Sequence, residues 1–290
     1  MKNITSEIVK ELIKEQFPSW SDLEIKPVRV SGNDNRTFHL GNYMSVRLPN
    51  AECYVPQVEK EHRWLPFLAK NLSLPISKPL AKGKANQSYP YPWTINEWID
   101  GDSLRNDNLN DVSQFARDLA KFLTELQSIN AEGGPKAGEH NFFRGGNLVV
   151  YDRETKDSIE NTKDFFKDKL LLEIWQLALS SSWSSDPVWV HGDIAPGNLL
   201  VKDGKLCAVI DFGILGVGDP ACDAAIAWTY FDEQSRNEFK NALNFDEGTW
   251  NRARGWALWK ALITFNENKD KVSYQIIMKI TGEFIKNKQK

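Results

Sequence analysis

Three oxygen-bearing side chains between residues 190 and 223 have the types and spacing of a site that could hold a hard cation. Asp193 is followed five positions later by Asn198, and Asp211 opens an Asp-Phe-Gly tripeptide. Hard cations such as Mg²⁺ take oxygen ligands and usually keep only one or two protein carboxylates together with substrate phosphates. We therefore predict that Asn198 and Asp211 hold Mg²⁺, which leaves Asp193 free to orient an acceptor hydroxyl and to receive its proton.

A short hairpin is predicted to bring these side chains together. The apolar runs 199–201 and 206–210 flank an Asp-Gly pair, and such a turn between apolar runs is a strong hairpin signal. Asn198 then lies at the start of one strand and Asp211 at the end of the other. The alternative is a hairpin in which the same Asp and Asn residues only cap turns.

The spacing His-x-Asp-x-x-x-x-Asn that begins at His191, followed by the Asp-Phe-Gly tripeptide, matches the catalytic segment of kinases. Gly192 stands where protein kinases usually have Arg. Together with Pro196 and the Gly-Asp-Pro-x-x-Asp segment that ends at Asp223, this pattern resembles the antibiotic kinases, namely the aminoglycoside phosphotransferases and their macrolide phosphotransferase relatives. The resemblance implies that His191 and Asp223 brace the catalytic loop.

The resemblance also implies an α+β, bilobal protein-kinase-like fold. A small N-lobe with an antiparallel sheet is expected over residues 1–98 and binds the nucleotide, whereas a larger, mainly helical C-lobe over residues 99–290 holds the catalytic and acceptor-binding residues. The hydrophobic pattern agrees with this division, because β-type runs precede a series of helical stripes. The predicted strands include 27–30, 37–40 and 44–48, and helices are predicted near 5–17, 56–68, 111–127, 160–180, 220–228, 235–243, 249–265 and 272–285.

Two N-lobe segments are predicted to contact the nucleotide through their backbones. Ser31, Gly32 and Asn35 lie in a tight loop whose free N–H groups can face phosphate oxygens. The resemblance places the hinge between the lobes at the end of an apolar strand. The base is then expected to meet the carbonyl of Glu97 and the amide of Ile99.

A charged pair is predicted beside the phosphates. The resemblance expects a Lys on the third strand, but the sequence has Arg47 there. Arg is permanently charged and can bind phosphate in a bidentate way, although it is not interchangeable with Lys. Glu61 lies on the inner stripe of the helix at 56–68, where a carboxylate needs a partner. The resemblance implies that this partner is Arg47. Glu59 is the alternative.

No motif defines the acceptor site. A polycationic aminoglycoside would require a cluster of carboxylates, for which the candidates are Asp232, Glu233, Asp246, Glu247 and Glu267. A macrolide would prefer an apolar wall, for which the candidates are Trp228, Trp256 and Trp259. Arg144, in the long glycine-rich loop at 131–147, is interpreted as an ordinary surface residue in preference to a ligand contact.

Composition and charge narrow the class of protein. The chain has 290 residues, of which 41% are hydrophobic and 26% charged, as in ordinary soluble domains. A formal net charge of −3 gives no basic footprint for nucleic acid. Three cysteines without metal-type spacing favour a reducing, cytoplasmic setting. Charges interrupt every apolar run near the N-terminus, so no secretory or membrane-spanning segment is expected.

The predicted reaction is transfer of the γ-phosphate of ATP or GTP to a hydroxyl of an aminoglycoside or macrolide antibiotic, with Mg²⁺ as cofactor. Two alternatives remain open. The same fold could act on a choline-, sugar- or homoserine-like metabolite. A catalytically weak, nucleotide-binding pseudokinase is supported by the missing Lys and opposed by the intact Asp193, Asn198 and Asp211 set.

Overall fold

The chain forms a sheet-containing part followed by a helical part in a computed structural model that describes residues 4–29, 32 and 34–289. This order confirms the predicted α+β organisation. The strands are β1 (Ile25–Pro27), β2 (Asn35–Leu40), β3 (Met44–Pro49), β4 (Pro79–Gly83), β5 (Trp93–Glu97), β6 (Asp102–Ser103), β7 (Val188–Val190), β8 (Leu199–Lys202), β9 (Lys205–Val209) and β10 (Gly216–Gly218). The helices are α1 (Ser6–Gln16), α2 (Val55–Leu68), α3 (Val112–Ser128), α4 (Asp152–Asn161), α5 (Asp168–Leu179), α6 (Ala221–Ala224), α7 (Ile226–Thr229), α8 (Glu233–Leu243), α9 (Glu247–Asn268) and α10 (Lys271–Lys288).

The N-lobe is built on an antiparallel sheet with the strand order β1-β2-β3-β5-β4. Successive side chains of a strand point to opposite faces, and on β3 this buries Val46 and Leu48 in a core shared with the apolar face of α1. Arg47 lies between them and projects from the opposite face. Its cross-strand neighbours are Thr37 and Thr94.

The C-lobe surrounds a second and larger core. Its central helix α3 buries the predicted stripe, which includes Phe115 and Leu119, and the Asp111 side chain caps its first turn by accepting from the Gln114 N–H. α3 packs beside β7 and α8 and supports the small sheet β6-β8-β9. The helical part therefore provides a rigid base for the β8–β9 hairpin.

The two cores do not separate at a single position of the chain. Leu65, Leu68 and Ile76 precede the predicted hinge but join the larger core. The lobe boundary at residue 98 therefore stays a prediction.

The region predicted as one helix at 160–180 forms two. α4 ends at Asn161 and α5 begins at Asp168. The Thr162 hydroxyl donates to the Ser158 carbonyl at 2.7 Å. The apolar pattern continues through Phe165 and Phe166 in the connecting segment, so the stripe alone does not reveal the break.

Two other elements differ from their predicted bounds. The strand predicted at 27–30 is β1, three residues long at Ile25–Pro27, and Val30 lies outside the described residues. The helix predicted at 220–228 divides into the short helices α6 and α7. Within the described part of the chain, no helix has both the length and the apolar character needed to cross a membrane.

Candidate active site

The β8–β9 hairpin places the two metal-ligand candidates side by side. In its register Leu199 pairs with Val209, and one step further the Ile210 N–H donates to the Asn198 carbonyl at 2.9 Å. Asp211 follows directly with a φ of 66°, which lies in the left-handed region that non-glycine residues seldom occupy. Such strained backbone persists only where the surroundings enforce it. Asn198 and Asp211 therefore lie at the same edge of the small sheet.

Asn198 also fixes the loop that carries Asp193. Its Nδ2 donates to the Asp193 carbonyl and to the Asp193 Oδ2, both at 2.9 Å. Because the amide directs its donor group to this loop, its Oδ1 is the atom that can face a cation. The Asp193 side chain is exposed and accessible to a substrate.

Two buried side chains brace the same loop from behind. Asp223 accepts from the backbone N–H groups of His191 and Gly192, both at 2.7 Å. The His191 ring accepts from the Asp193 N–H through Nδ1 at 3.1 Å and donates through Nε2 to the Ile210 carbonyl at 3.0 Å. Burial raises the pKa of Asp223. Because His191 is fully buried, its contacts agree with a bracing role.

Asp223→Asn is expected to loosen this loop. Asn keeps one acceptor oxygen but turns an NH₂ group toward the second backbone N–H, which loses its partner. A buried donor without an acceptor costs about 1–3 kcal/mol, and we expect urea unfolding to show a loss of that size, with turnover falling more than nucleotide affinity. Asp157→Asn, at a carboxylate that is 68% exposed, is the control. Equal stability of the two variants would contradict the bracing role.

Arg47 bridges the sheet and the hairpin. Its Nη1 lies 3.2 Å from Glu61 Oε1, and its Nη2 lies 2.7 Å from Asp211 Oδ1. Burial acts to lower the pKa of this guanidinium, but the negative charges of Glu61 and Asp211 outweigh it and raise the pKa. Burial also opposes ionisation of Asp211, and Arg47 overcomes this and lowers the pKa of that carboxyl. The predicted Arg47–Glu61 pair is present, whereas Glu59 pairs with Lys82 at the surface.

A cleft of about 470 Å³ opens between the sheet and the hairpin. This volume lies within the range of about 300–1,000 Å³ that is typical of small-molecule sites. Ser31 lies outside the described residues, and Glu61 is connected to the cleft through Arg47. The predicted site residues that line the cleft are Gly32, Asn35, Arg47, Glu97, Ile99, Asp193, Asn198 and Asp211.

Sequence reasoning missed Asp34. This residue lines the cleft just before β2, and its Oδ2 accepts from Gln57 Nε2 at 3.0 Å. Burial raises the pKa of Asp34, and the nearby charges of Asp211 and Asp193 raise it further. Asp34 therefore shares the cleft with Asp193 and Asp211. The available signal was a single acidic residue in a loop otherwise made of Ser, Gly and Asn.

The predicted apolar wall for a macrolide is wrong. Trp228 is fully buried and donates through Nε1 to Glu283 inside the helical core. Trp256 and Trp259 are only 2% and 5% exposed. These rings fill the C-lobe, so they offer no surface to a bulky ligand.

The predicted acidic cluster does not form. Asp232 caps α8 by accepting from the Ser235 N–H at 2.9 Å. Glu233 pairs with Lys286 on the surface, and Glu267 is exposed near the end of α9. None of these acids lines the cleft that the described residues form around Asp193.

The donor set at the hairpin fits Mg²⁺. Within residues 4–29, 32 and 34–289 there is no cluster of three or more His, Cys, Asp or Glu side chains able to hold a metal by itself. Asn198 and Asp211 supply one amide and one carboxylate to the same cleft. Such a partial shell requires additional oxygens from a bound ligand, and this is how Mg²⁺ is held beside substrate phosphates.

A small antiparallel sheet joined to a helical part, with Asp, Asn and Asp side chains at the cleft between them, defines the protein-kinase-like class of phosphotransferases. Residues 24–258 match the phosphotransferase enzyme family, APH. The match extends over most of the chain, and the chain belongs to this family.

Solved structures share the fold at low sequence identity. The GDP complex of aminoglycoside 2'-phosphotransferase-IIIa aligns with a TM-score of 0.71 and 18% identity, over 98% of this chain and 100% of that one. A GDP and kanamycin complex of APH(2")-IIia aligns with a TM-score of 0.72 and 19% identity, over 96% and 98%. The macrolide 2'-phosphotransferase MphH from Brachybacterium faecium aligns with a TM-score of 0.63 and 18% identity, over 94% and 98%.

A curated relative matches over a short segment. An aminoglycoside 3'-phosphotransferase from Escherichia coli is 42% identical over 48 residues, which is 17% of this chain and 18% of that enzyme. The chain therefore aligns with less than a fifth of that relative. Because the solved structures are only 18–19% identical to this chain, they establish its fold but not its acceptor.

Proposed function

We propose that the protein transfers the γ-phosphate of ATP or GTP to a hydroxyl of a small molecule, with aminoglycoside and macrolide antibiotics as the acceptor classes. The observation that carries this proposal is the convergence of Asp193, Asn198, Asp211 and Arg47 on one cleft. Two fold neighbours support it, because one was solved with GDP and kanamycin and another is a macrolide phosphotransferase.

Asp193 is the proposed catalytic residue. Its exposed carboxylate orients the acceptor hydroxyl and takes the proton that this hydroxyl loses. Asn198 holds the carboxylate through Nδ2, and His191 holds the backbone N–H of Asp193 through Nδ1. Phosphoryl transfer depends mainly on such positioning and on charge neutralisation, so this rigid loop is well suited to the reaction.

The N-lobe residues are proposed to hold the nucleotide. Arg47 steadies the phosphates while Glu61 fixes the orientation of its guanidinium. The backbone of Gly32 faces the phosphates, and the Glu97 carbonyl with the Ile99 amide meets the base. These positions line the same cleft, apart from Glu61 behind Arg47.

Asn198 and Asp211 would hold Mg²⁺. When bound, the ion neutralises negative charge on the phosphate oxygens and orients them. The lowered pKa of Asp211, maintained against burial by Arg47, keeps this carboxylate ionised at neutral pH. A nucleoside triphosphate donor and three free cysteines agree with the cytoplasmic location that the sequence favours.

Acceptor-stimulated turnover tests the proposal. The protein is incubated with Mg²⁺ and either ATP or GTP, together with kanamycin, a macrolide, choline, homoserine or a simple sugar, and phosphorylated products are identified by mass spectrometry. We expect an antibiotic product that disappears in Asp193→Asn. A product from a metabolite alone would favour a metabolite kinase. Nucleotide binding without product from any acceptor would favour a pseudokinase.

A further inference from the structure

Strand β5, which leads into the predicted hinge, carries a buried amide at the wall of the cleft. Asn96 is 1% exposed and lines the cleft together with Glu97 and Ile99. Among the described residues, its Nδ2 is buried without a hydrogen-bond acceptor. A buried donor without a partner is costly, and the few that occur in native structures are found where another group supplies the acceptor or where function requires them.

The sheet directs this amide toward the cleft and away from the N-lobe core. Ile95 packs in that core opposite Val46 of β3, and successive side chains of a strand point to opposite faces. Asn96 therefore lies on the other face, where its cross-strand partner is Ser45. Ser45 also lines the cleft. Two neighbouring strands thus place polar side chains at the same part of the wall.

His62, Thr94 and Asn96 form a hydrogen-bond relay that fixes the orientation of the amide. The Thr94 hydroxyl donates to Asn96 Oδ1 at 2.7 Å, and His62 Nε2 lies 2.9 Å from the same hydroxyl. A hydroxyl has a single hydrogen to donate. Because Thr94 gives it to Asn96, the Thr94 oxygen accepts from the His62 N–H. Oδ1 is therefore held on the side of Thr94, and the amide offers its NH₂ group to a ligand.

The proposed base contacts bring position 6 of a purine near this NH₂ group. The Watson–Crick edge meets the Glu97 carbonyl and the Ile99 amide, and the sugar edge carries the ribose. The third edge, which holds N7 and the group at position 6, is left for Asn96, the residue directly before Glu97. Guanine presents two acceptors on that edge, O6 and N7, whereas adenine presents the acceptor N7 and the N6 amino donor.

We propose that Asn96 selects guanine nucleotides by donating from Nδ2 to the oxygen at position 6 of the base, which makes GTP the preferred phosphoryl donor. Guanine supplies the acceptor that Nδ2 lacks. Adenine instead turns its amino group toward the Asn96 NH₂ group, so two donors face each other without an acceptor. This inference rests on the proposed phosphoryl transfer and names its donor.

Nucleoside diphosphates that differ at position 6 test the assignment on the unaltered protein. Inosine diphosphate, IDP, has the same oxygen as guanine at this position, and like ADP it lacks the amino group at position 2. The affinities of GDP, IDP and ADP are measured by calorimetry with Mg²⁺. We expect GDP and IDP to bind about 5- to 150-fold more tightly than ADP, the range for leaving one buried donor unsatisfied.

Two substitutions in the relay test the assignment on the protein. Asn96→Leu keeps the approximate size of the side chain and removes the donor, so the ratio of IDP affinity to ADP affinity should fall toward one. Thr94→Val removes the hydroxyl that orients the amide. Asn96 can then rotate and accept from adenine, so the ratio should fall here as well.

Asn71→Leu is the matched control for these variants. Asn71 is exposed, donates to the Phe67 carbonyl at 3.1 Å and does not line the cleft. The ratio of IDP affinity to ADP affinity should therefore stay at its wild-type value. Thermal unfolding of each variant checks that it is folded.

Each outcome supports or overturns the assignment. Equal affinity for IDP and ADP, tighter binding of ADP, no binding of any of the three nucleotides, or an unchanged ratio in Asn96→Leu would overturn it. If Asn96→Leu does not fold, an unchanged ratio in Thr94→Val overturns it instead. A preference for GDP and IDP in binding, with no phosphorylated product from any acceptor, would leave guanine selection standing and overturn the proposed transferase function.

Discussion

Asp193→Asn is expected to lower turnover about 10²–10⁴-fold, the range for loss of a general acid–base group. The substitution preserves the size of the side chain and leaves an oxygen that can still accept from Asn198 Nδ2, so the loop should keep its shape. An amide cannot take the proton of the acceptor hydroxyl. Nucleotide affinity should therefore stay within about threefold of wild type, since Asp193 contributes to the acceptor step and not to nucleotide contacts.

Turnover is measured with the best acceptor at saturating Mg²⁺-nucleotide, and nucleotide affinity by calorimetry. Glu59→Gln is a suitable control, because Glu59 forms only a surface pair with Lys82 and should have nearly wild-type activity. If Asp193→Asn keeps most of its turnover, Asp193 is not the catalytic residue. If nucleotide affinity collapses together with turnover, the residue serves mainly to shape the cleft.

The parts of the site that sequence predicted well are those set by local rules. The Asp-Gly turn between two apolar runs determines the β8–β9 register, and that register places Asn198 beside Asp211. Alternation along β3 directs Arg47 away from the core that buries Val46 and Leu48, and helical periodicity places Glu61 on the buried stripe of α2, where the two side chains meet. Each of these placements follows from a period of two or 3.6 residues.

The incorrect predictions of the acceptor site have two physical origins. Helix caps and ligand sites draw on the same residue types, and Asp232 is an N-cap residue of α8 rather than part of an acidic cluster. Long-range packing leaves no local trace, and the stacking of Arg144 on Trp256 and Trp259 joins segments more than a hundred residues apart. A count of Trp residues therefore could not distinguish a ligand wall from a core.

Arg47→Met is expected to reduce both stability and activity, because it breaks two ion pairs at once. Glu61 is 3% exposed and would remain as a buried carboxylate without its cation. Removing one partner of a buried pair costs about 3–5 kcal/mol. Turnover should fall about 10²–10³-fold, the effect of losing one preorganised group that stabilises developing charge. The stability and turnover of Arg47→Lys should lie between those of wild type and Arg47→Met. A single ammonium group cannot reproduce the guanidinium, which reaches both Glu61 and Asp211.

The stability loss should depend on pH in a defined direction. Arg47 lowers the pKa of Asp211 below its ordinary value. A carboxylate with a lowered folded-state pKa contributes stability above its unfolded pKa of about 3.9, and this contribution is lost as pH falls through the lower folded value. The difference in unfolding free energy between wild type and Arg47→Met should therefore be largest near neutral pH and shrink below about pH 4.

A double variant separates stability from catalysis. In Arg47→Met with Glu61→Gln, the buried charge is removed together with its partner, so much of the lost stability should return. Activity should not return, since the cation beside the phosphates is still missing. Equilibrium unfolding in urea and acceptor-stimulated turnover are measured on the same preparations. If turnover recovers in parallel with stability, Arg47 acts only as a structural residue. The phosphates must then be bound by another part of the cleft.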